Sequence, residues 1–194
     1  MSDADLDIAI PGVIDGMRYT RQGQACTAGS RVYIQEKIYE KVLEGVVDKL
    51  KNLKMGNALD ENSDIGAIIS KEQLDRTLHY MNIAKENSST KVLHGGNQKK
   101  EGDYKDGFFY EPTLLSGVPV ESPVCQEEIF GPVACAIPFK SFDEVLKSAN
   151  NTPFGLSAVL WTQNLSRALQ FVEEIEAGFV QVNQCVAPRA NVSY

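Results

Sequence analysis

The second half of the chain alternates strands with helices, and this order limits the possible fold more than any other feature of the sequence. Three apolar segments have the composition of strands, and two amphipathic segments separate them. In chain order they are the strand Val133–Phe139, a helix from Ser141 to about Asn150, the strand Leu156–Trp161, a helix from Leu165 to about Glu176 and the strand Gly178–Asn183. Strands that alternate with helices are typical of parallel sheets. We therefore predict an α/β domain whose mostly parallel sheet is flanked by helices.

The first half contains three stretches with helical periodicity and two short strand-like runs. We expect helices from about Asp5 to Arg21, from Glu36 to about Leu53 and from Lys71 to about Asn87, with strands near Val32–Ile34 and Lys91–Leu93. Ser70 and Gln73 have the spacing of a capping box at the start of the third helix. Phe108–Leu115 is strand-like but contains Pro112, which predicts an edge strand or an irregular segment.

Length and composition describe an acidic globular chain. The 194 residues suit one domain, 43% of them are hydrophobic, and the formal net charge is -7. The sequence has no basic patch, which argues against a nucleic-acid partner, and no apolar run long enough to cross a membrane. Its acidic start, Met1-Ser-Asp-Ala-Asp-Leu6, does not have the layout of a secretion signal.

The four cysteines are widely spaced and form no Cys-x-x-Cys pair; they are Cys26, Cys125, Cys135 and Cys185. This spacing argues against a zinc site and against a disulfide framework. It fits a reducing compartment, and we expect a cytoplasmic protein without a bound metal.

Cys26 lies in the segment Gly23-Gln-Ala-Cys-Thr-Ala-Gly29, directly before a strand-like run. Its small neighbours leave the sulfur open to a small substrate, whereas bulky ones would shield it. An accessible thiolate can act as a nucleophile and form a covalent thioester. Cysteine is also among the most buried residue types, so a structural, buried thiol is an equally strong alternative on this pattern alone.

Three further segments combine polar residues with turns beside strands. In Gln126-Glu-Glu-Ile-Phe-Gly-Pro-Val133, the ordinary structural interpretation makes the acids solvated and the aromatic part of the core. Asn150-Asn-Thr-Pro-Phe-Gly-Leu-Ser-Ala158 reads as a helix stop followed by a turn. Gly178-Phe-Val-Gln-Val-Asn183 ends a strand in asparagine, and α/β sheets hold ligands at the carboxyl ends of strands.

Together, in this order and at this spacing, the four segments resemble the aldehyde dehydrogenase superfamily. The matching patterns are Gly23-Gln24-x-Cys26-Thr27-Ala28, Glu127-Glu128-Ile-Phe130-Gly-Pro132, Asn151-x-x-x-Gly155-Leu-Ser-Ala158 and Gly178-x-Val-x-Val-Asn183. The resemblance covers nearly the whole chain. It implies an aldehyde dehydrogenase catalytic domain over residues 1–194, which would oxidise an aldehyde to the acid with NAD or NADP.

The resemblance also implies a role for each matching residue. Cys26 is similar to the family's nucleophile, whose thiohemiacetal passes hydride to the cofactor and becomes a thioester that water hydrolyses; its backbone N–H would contribute to an oxyanion hole. Glu128 corresponds to the carboxylate that holds the ribose hydroxyls on the nicotinamide side, and Phe130 to the aromatic beside the nicotinamide. Gln73 and Arg76 fall where the family contacts the adenosine side of the cofactor.

On the substrate side, the resemblance places Cys185, Val186 and Tyr194 along the aldehyde tunnel. Val186 and Pro188 would make this part of the tunnel apolar, so we expect an uncharged or aromatic aldehyde. For the full-length enzyme the resemblance implies a homo-oligomer.

The sequence departs from the family pattern at both ends. It contains no Glu-Leu-Gly-Gly type segment with the catalytic glutamate, and no Gly-Gly-x-Lys-x-Ser-Gly segment. The oxyanion-hole asparagine, the cofactor lysine and the glycines that face the pyrophosphate are missing as well. We therefore expect an isolated cysteine domain, truncated at both ends, that folds but does not oxidise aldehydes alone.

Two other functions stay open. The chain could be a free-standing, non-catalytic binding or structural module derived from that family. It could also be a cysteine hydrolase that pairs Cys26 with His79 or His94. The hydrolase would need one imidazole within hydrogen-bond reach of the sulfur.

Overall fold

Residues 1–185 are the part of the chain that the structure, a computed structural model, describes. The helices there are α1 (Leu6–Gly16), α2 (Tyr39–Lys51), α3 (Lys71–Glu86), α4 (Pro123–Gln126), α5 (Phe142–Asn150) and α6 (Leu165–Glu174). The strands are β1 (Arg31–Gln35), β2 (Lys91–His94), β3 (Gln98–Lys99), β4 (Phe109–Tyr110), β5 (Thr113–Ser116), β6 (Val133–Phe139), β7 (Ser157–Leu160) and β8 (Phe179–Val182).

The central sheet has the strand order β1-β6-β5-β2. β1, β6 and β5 run parallel, with Arg31 opposite Cys135 and Thr113 opposite Val133, and β2 pairs antiparallel with β5 at the edge. β7 and β8 form a separate parallel pair, and β3 and β4 form a short antiparallel pair. The prediction of an α/β domain with a mostly parallel sheet flanked by helices is therefore confirmed.

β6 is the centre of the core because helices cover both of its faces. The side chains of Val133, Cys135 and Ile137 pack against α3, where Met81 is buried. Those of Ala134 and Ala136 pack against α1 and α2, where Val46 is buried. Successive side chains of a strand point to opposite faces, so a strand buried on both sides needs a continuous apolar run.

The segment around Pro112 is interrupted between β4 and β5, as the prediction of an irregular segment requires, but β5 is an interior strand and not an edge. Pro112 lies between β4 and β5 and therefore takes no place in the ladder. All four residues of β5 are buried, and β5 lies between β2 and β6. The N–H of Thr113 donates to the carbonyl of Pro132 at 2.7 Å, which ties the start of β5 to the start of β6.

The first helix is shorter than the sequence predicted. Its N-cap is Asp5, whose carboxylate accepts a hydrogen bond from the N–H of Asp7, and the helix continues through Pro11 to Gly16. Arg18 then adopts a left-handed backbone conformation, with φ 56°, and a single 3-10 turn follows. A residue in that conformation cannot continue a right-handed helix, so a helix as far as residue 21 is wrong.

Candidate active site

The loop that carries Cys26 is fixed at its base by two buried side chains. The hydroxyl of Tyr19 donates to the carbonyl of Thr113 at 2.8 Å, and the side-chain amide of Gln22 donates to the carbonyl of Gly66. Cys26 itself is exposed. The alternative of a buried structural cysteine is therefore wrong, because the anchoring groups are buried and the thiol is at the surface.

Gly23 brings the Cys26 loop against the turn that precedes β6. Gly23 has φ 63°, and a Cβ added to it would lie 2.2 Å from the carbonyl oxygen of Gly131. Glycine satisfies both constraints, since it adopts positive φ readily and carries no Cβ. Glu128 and Phe130 lie just before Gly131 in the chain. The contact therefore places the thiol loop beside the residues predicted to bind the cofactor.

A cavity of about 40 Å³ lies where these two segments meet. Cys26, Glu128 and Phe130 line it together. The cavity exceeds the roughly 10–15 Å³ that one buried water requires. Three residues that the sequence analysis selected from separate segments are thus neighbours around a space that a small polar group can enter.

Gln73 and Arg76, both on α3, hold the backbone of the segment that contains Glu128. The Nε2 amide of Gln73 donates to the carbonyls of Ile129 at 2.9 Å and Phe130 at 2.7 Å. Arg76 donates to the carbonyl of Glu128 through Nε at 3.0 Å and also through Nη2. Three successive carbonyls are therefore fixed by one helix.

Only half of the predicted capping box forms at the start of α3. The Ser70 hydroxyl accepts a hydrogen bond from the backbone N–H of Gln73 at 3.2 Å. The side chain of Gln73 does not return to Ser70, because its amide is bonded to Ile129 and Phe130 instead. Two tertiary hydrogen bonds replace one local bond, and they satisfy carbonyls that would be costly to leave unpaired.

The two adjacent acids, Glu127 and Glu128, have different surroundings. Glu127 accepts a hydrogen bond from the Tyr80 hydroxyl at 2.7 Å. Burial and this bond raise the pKa of Tyr80, against the opposing charge of Arg76. Glu128 is exposed beside the small cavity, and its carboxylate has no hydrogen bond or ion pair to any other residue of the 1–185 range. The carboxylate that the resemblance assigns to the cofactor is thus open to a ligand.

Phe130 lines the small cavity and is not a core residue. Its side chain is half-buried and belongs to none of the three apolar core clusters in residues 1–185. Its φ is 55°, in the left-handed region that a non-glycine residue rarely occupies. Such a conformation persists where the surroundings hold it, and the carbonyl of Phe130 accepts a hydrogen bond from the Gln73 side chain. The core-packing interpretation of this aromatic is wrong.

A second cavity, of about 420 Å³, also borders Cys26. Cys185 lines it from just beyond β8, with its sulfur 3.3 Å from the position that a Cβ on Gly16 would take. Burial raises the pKa of the Cys185 thiol, although the charge of Arg18 opposes this. The two thiols therefore share one cavity, as a substrate tunnel would require. The other predicted tunnel residues, Val186, Pro188 and Tyr194, lie outside the described residues.

Asn183 and Asn150 join secondary-structure elements around the site. Asn183 accepts a hydrogen bond from the N–H of Thr162 at 2.9 Å and donates to the carbonyl of Thr162 at 2.7 Å. Asn150 donates to the carbonyl of Glu174 at 2.9 Å, which links the ends of α5 and α6. Both asparagine side chains thus have structural partners.

The other two cysteines, Cys125 and Cys135, are buried. Cys125 lies on α4 and Cys135 on β6, within the same apolar cluster. A hydrogen bond with Cys125, together with burial, raises the pKa of the Cys135 thiol well above its usual range. A thiol held in this way is a poor nucleophile.

Neither histidine borders the cavities that contain Cys26. His79 is exposed on α3 and makes an edge-on ring contact with Tyr80, with ring centroids 5.4 Å apart. His94 ends β2, and burial lowers the pKa of its imidazole although Glu111 opposes the shift. Because neither imidazole lines either cavity, the geometry does not favour a cysteine–histidine hydrolase.

The sequence did not indicate which residues anchor the base of the Cys26 loop. Tyr19 and Gln22 anchor the Cys26 loop by hydrogen bonds, and Gly131 sets its position by a close backbone contact with Gly23. The Gln22-Gly23 pair just before the cysteine was a possible signal, since glycine marks a special backbone conformation. In the described part of the chain, no helix is long and apolar enough to cross a membrane, and no three His, Cys, Asp or Glu side chains are grouped to hold a metal ion.

The sequence of this chain is similar to a family of known proteins. Residues 1–194 match the model of the aldehyde dehydrogenase family. The chain is 41% identical over 181 residues to an alpha-ketoglutaric semialdehyde dehydrogenase of Bacillus subtilis, and 37% identical over 181 residues to a betaine aldehyde dehydrogenase of Mesorhizobium japonicum. Each alignment covers 93% of this chain and 37% of the relative, so the chain spans little more than a third of their length.

Solved structures resemble the fold closely. The betaine aldehyde dehydrogenase of Staphylococcus aureus in complex with NAD+ superposes with a TM-score of 0.93 at 30% identity, over 98% of this chain and 37% of that one. The NAD+ complex of an aldehyde dehydrogenase from Bacillus cereus gives 0.92 at 36% identity, over 98% of this chain and 38% of that one. With its family match over residues 1–194, the chain belongs to the aldehyde dehydrogenase family.

Proposed function

We propose that this chain supplies the reactive cysteine for oxidation of an aldehyde to a carboxylic acid with NAD or NADP, and that residues 1–194 form the cysteine domain of that enzyme. The observation that carries the proposal is the meeting of Cys26, Glu128 and Phe130 around one cavity. Family membership supports the class of reaction.

The first chemical step needs no cofactor. The deprotonated sulfur of Cys26 attacks the carbonyl carbon of the aldehyde, a C–S bond forms, and the π electrons of the C=O bond move to the oxygen. The backbone N–H of Cys26 donates a hydrogen bond to that oxygen, and one such donor typically stabilises the transition state by about 3 kcal/mol. The exposure of Cys26 gives the aldehyde access to the sulfur.

The residues beside Cys26 fit the nicotinamide end of a cofactor. Glu128 has an exposed carboxylate that can accept two hydroxyl hydrogens of a ribose, and Phe130 offers an aromatic face next to it. When bound, a nicotinamide cofactor would supply the hydride acceptor that converts the Cys26 adduct to a thioester. Gln73 and Arg76 act as positioning residues, because their hydrogen bonds reach the backbone of Glu128, Ile129 and Phe130.

Hydrolysis completes the reaction. Water attacks the acyl carbon of the thioester, the C–S bond breaks, and the acid leaves while Cys26 regains its thiol. Apolar side chains such as those of Val13 and Val32 are among those that line the larger cavity, which Cys26 and Cys185 also border, and this supports the expectation of an uncharged or aromatic aldehyde.

We expect the chain to be inactive in aldehyde oxidation by itself. It spans 37% of the length of its relatives, and its sequence has no Glu-Leu-Gly-Gly type segment to supply the base for hydrolysis. The check is the absorbance of reduced cofactor after the chain is mixed with NAD or NADP and a series of aldehydes. Sustained turnover would contradict this part of the proposal.

The role of Cys26 is tested separately by protection against alkylation. An aldehyde such as benzaldehyde should slow the reaction of Cys26 with iodoacetamide, because the thiohemiacetal occupies the sulfur. Peptide mass analysis distinguishes Cys26 from Cys185, and the variant Cys185→Ser is the matched control that keeps the effect. An equal alkylation rate with and without aldehyde would favour a non-catalytic module.

A further inference from the structure

Two of the four cysteines, Cys125 and Cys135, form a hydrogen-bonded pair that the proposed aldehyde chemistry does not use. Cys125 lies in α4, a helix of four residues, and Cys135 is the third residue of β6. Both side chains belong to the same apolar cluster, and their exposed fractions are 5% and 1%. Two thiols are therefore held next to each other in the core, and neither takes part in a disulfide.

A positive charge lies beside this pair of thiols. Arg31, the first residue of β1, is directly opposite Cys135 in the register of the parallel strands β1 and β6. Its guanidinium donates to the carbonyls of Ser148 at 3.4 Å and Ala149 at 3.0 Å, and to the hydroxyl of Tyr33 at 3.1 Å. All three acceptors are neutral, and Arg31 has no ion pair with any residue of the 1–185 range. Its charge is therefore not cancelled by a contacting carboxylate.

The two thiols of the pair differ in acidity. A hydrogen bond from Cys135 lowers the pKa of the Cys125 thiol; burial opposes this shift, and the charge of Arg31 adds to it. The same hydrogen bond, together with burial, raises the pKa of the Cys135 thiol. The proton between the two sulfurs therefore stays on Cys135, and Cys125 is the member that forms a thiolate. A thiolate beside a cation and a second thiol has the features of an oxidant-sensitive cysteine with a resolving partner.

We propose that Cys125 is a site of reversible oxidation by hydrogen peroxide and that Cys135 converts the product to a disulfide. The thiolate of Cys125 attacks one oxygen of the peroxide and the O–O bond breaks. The sulfur becomes a sulfenic acid, while the departing hydroxide is protonated to water.

The second step joins the two sulfurs. The sulfur of Cys135 attacks that of Cys125, the S–O bond breaks, and the departing hydroxide takes the proton of Cys135 to form a second water. The two thiols thus lose two electrons together, and one peroxide is reduced to two waters. Because the sulfurs are already neighbours, the step is intramolecular, which offsets the weak acidity of Cys135.

The position of Cys125 gives a small oxidant a short route to the sulfur. α4 is a single helical turn, and Pro123 and Glu127, on either side of Cys125 in the chain, are exposed. Local opening of so short an element costs less free energy than unfolding of the core. Hydrogen peroxide is almost as small as water, whereas iodoacetamide is bulkier. Burial that blocks alkylation of Cys125 therefore still admits peroxide.

The disulfide would close a covalent loop around the segment that lies beside Cys26. Residues 126–134 lie between the two cysteines, and they include Glu128, Phe130 and Gly131. Glu128 and Phe130 line the small cavity with Cys26, and Gly131 is in close contact with Gly23. Oxidation of the pair would therefore restrain this segment, whether or not Cys26 acts as a nucleophile.

Peptide mass mapping of the whole chain tests the proposal. The folded chain is treated with hydrogen peroxide, catalase stops the reaction, and the free thiols are alkylated under denaturing conditions before digestion without reductant. We expect a disulfide-linked pair of peptides that contain Cys125 and Cys135, which dithiothreitol returns to two free thiols. The fluorescence of Trp161, the single tryptophan of the sequence, follows the fold during the reaction. Recovery of both cysteines as free thiols, or a link that forms only as the fluorescence reports unfolding, would overturn the proposal.

Three cysteine variants assign the roles. Cys135→Ser keeps a hydroxyl donor beside Cys125 but has no resolving sulfur, so peroxide should carry Cys125 on to the sulfinic acid. Cys125→Ser should leave Cys135 reduced. Cys26→Ser is the matched control and should form the link at an unchanged rate. Sulfinic acid at Cys125 of the unaltered chain without a disulfide, or oxidation of Cys135 in Cys125→Ser, would refute the assigned roles.

Two variants of Arg31 test the contribution of its charge. Arg31→Met removes the charge and should slow formation of the link about three- to tenfold, which corresponds to a rise of about half to one unit in the pKa of Cys125. Arg31→Lys keeps the charge and should retain most of the rate. Both variants lose the planar guanidinium and its hydrogen bonds to the carbonyls of Ser148 and Ala149. Equal rates in the two variants would contradict the activation of Cys125 by this charge.

Discussion

Gly23 and Gly131 meet through their backbones, and a Cβ on Gly23 would lie 2.2 Å from the carbonyl oxygen of Gly131. This contact joins the loop of the exposed Cys26 to the segment that carries Glu128 and Phe130. The position of the thiol relative to the predicted cofactor residues therefore depends on the absence of a side chain at residue 23.

Replacing Gly23 with alanine should be much more damaging than the same change at another glycine with positive φ. We expect Gly23→Ala to lower the free energy of unfolding by about 3 kcal/mol or more, because the clash adds to the left-handed backbone strain. Gly102 has φ 56° but no atom within 4 Å of an added Cβ, so Gly102→Ala should cost only about 1–2 kcal/mol. Urea denaturation of both variants measures the difference, and equal losses would contradict the contact.

The side chain of Gln73 should stabilise the fold through the carbonyls of Ile129 and Phe130. Gln73→Ala leaves both carbonyls without this donor and should lower the free energy of unfolding by about 1–3 kcal/mol. Lys71→Ala, on the same helix, removes only an exposed ion pair with Asp75. It should change the free energy of unfolding by less than about 0.5 kcal/mol. If the two variants unfold at the same urea concentration, α3 does not hold the cofactor segment as described.

Glu111 should make stability fall at acidic pH. Burial alone would raise the pKa of Glu111, but hydrogen bonds from Lys99 and Asn97 outweigh it and lower the pKa below the usual value of 4.5. A lowered folded-state pKa means that the stabilisation is complete above about pH 4.5 and is lost as pH falls through the folded pKa. Thermal unfolding between pH 6 and pH 3 should therefore show a shallower decline in Glu111→Gln.

The partner of Glu111 provides the control for this pH effect. Lys99 lies 2.8 Å from the carboxylate, so Lys99→Met should flatten the same part of the stability profile. Each variant should lose no more than about 1 kcal/mol at pH 7, because the pair is partly exposed. A variant profile parallel to that of the unaltered chain would contradict the lowered pKa.

The four thiols should differ in their reaction with iodoacetamide. Cys26 is exposed and should react first; Cys185 is half-buried with a raised pKa and should follow more slowly. Cys125 and Cys135 are buried and should react only after unfolding. Mass spectrometry of timed samples gives the order, and early modification of Cys135 would show that the core is not packed as described.

The alternation of strands and helices could be predicted from the sequence, because apolar runs typical of strands alternate with segments of helical periodicity. In β6, the strand observed spans the predicted Val133–Phe139. At the start of α5, the predicted capping box of Ser141 and Glu144 forms. The central position of β5 could not be predicted, because it depends on pairing with the distant β6 and β2 rather than on the four residues themselves.

The residues of the candidate site could be selected from the sequence, but their contacts could not. Cys26 and Glu128 were selected from motif resemblance, and the structure places both at one cavity. The reach of Gln73 to Ile129 and Phe130 could not be read from the sequence, where its spacing from Ser70 indicated a local cap. A side chain such as that of Gln73 can bond either to its own helix end or to a distant segment, and tertiary packing decides between the two.

Acyl transfer to Cys26 needs a nucleophilic sulfur and an oxyanion donor but no cofactor, so it tests the proposed role of this cysteine in the chain as it stands. With p-nitrophenyl acetate in excess, we expect a burst of one nitrophenolate per chain and an acetyl group on Cys26 in the mass spectrum. Cys26→Ala should abolish the burst and Cys185→Ala should retain it. A burst of unchanged size in Cys26→Ala would show that another residue is the nucleophile and would contradict the proposed role of Cys26.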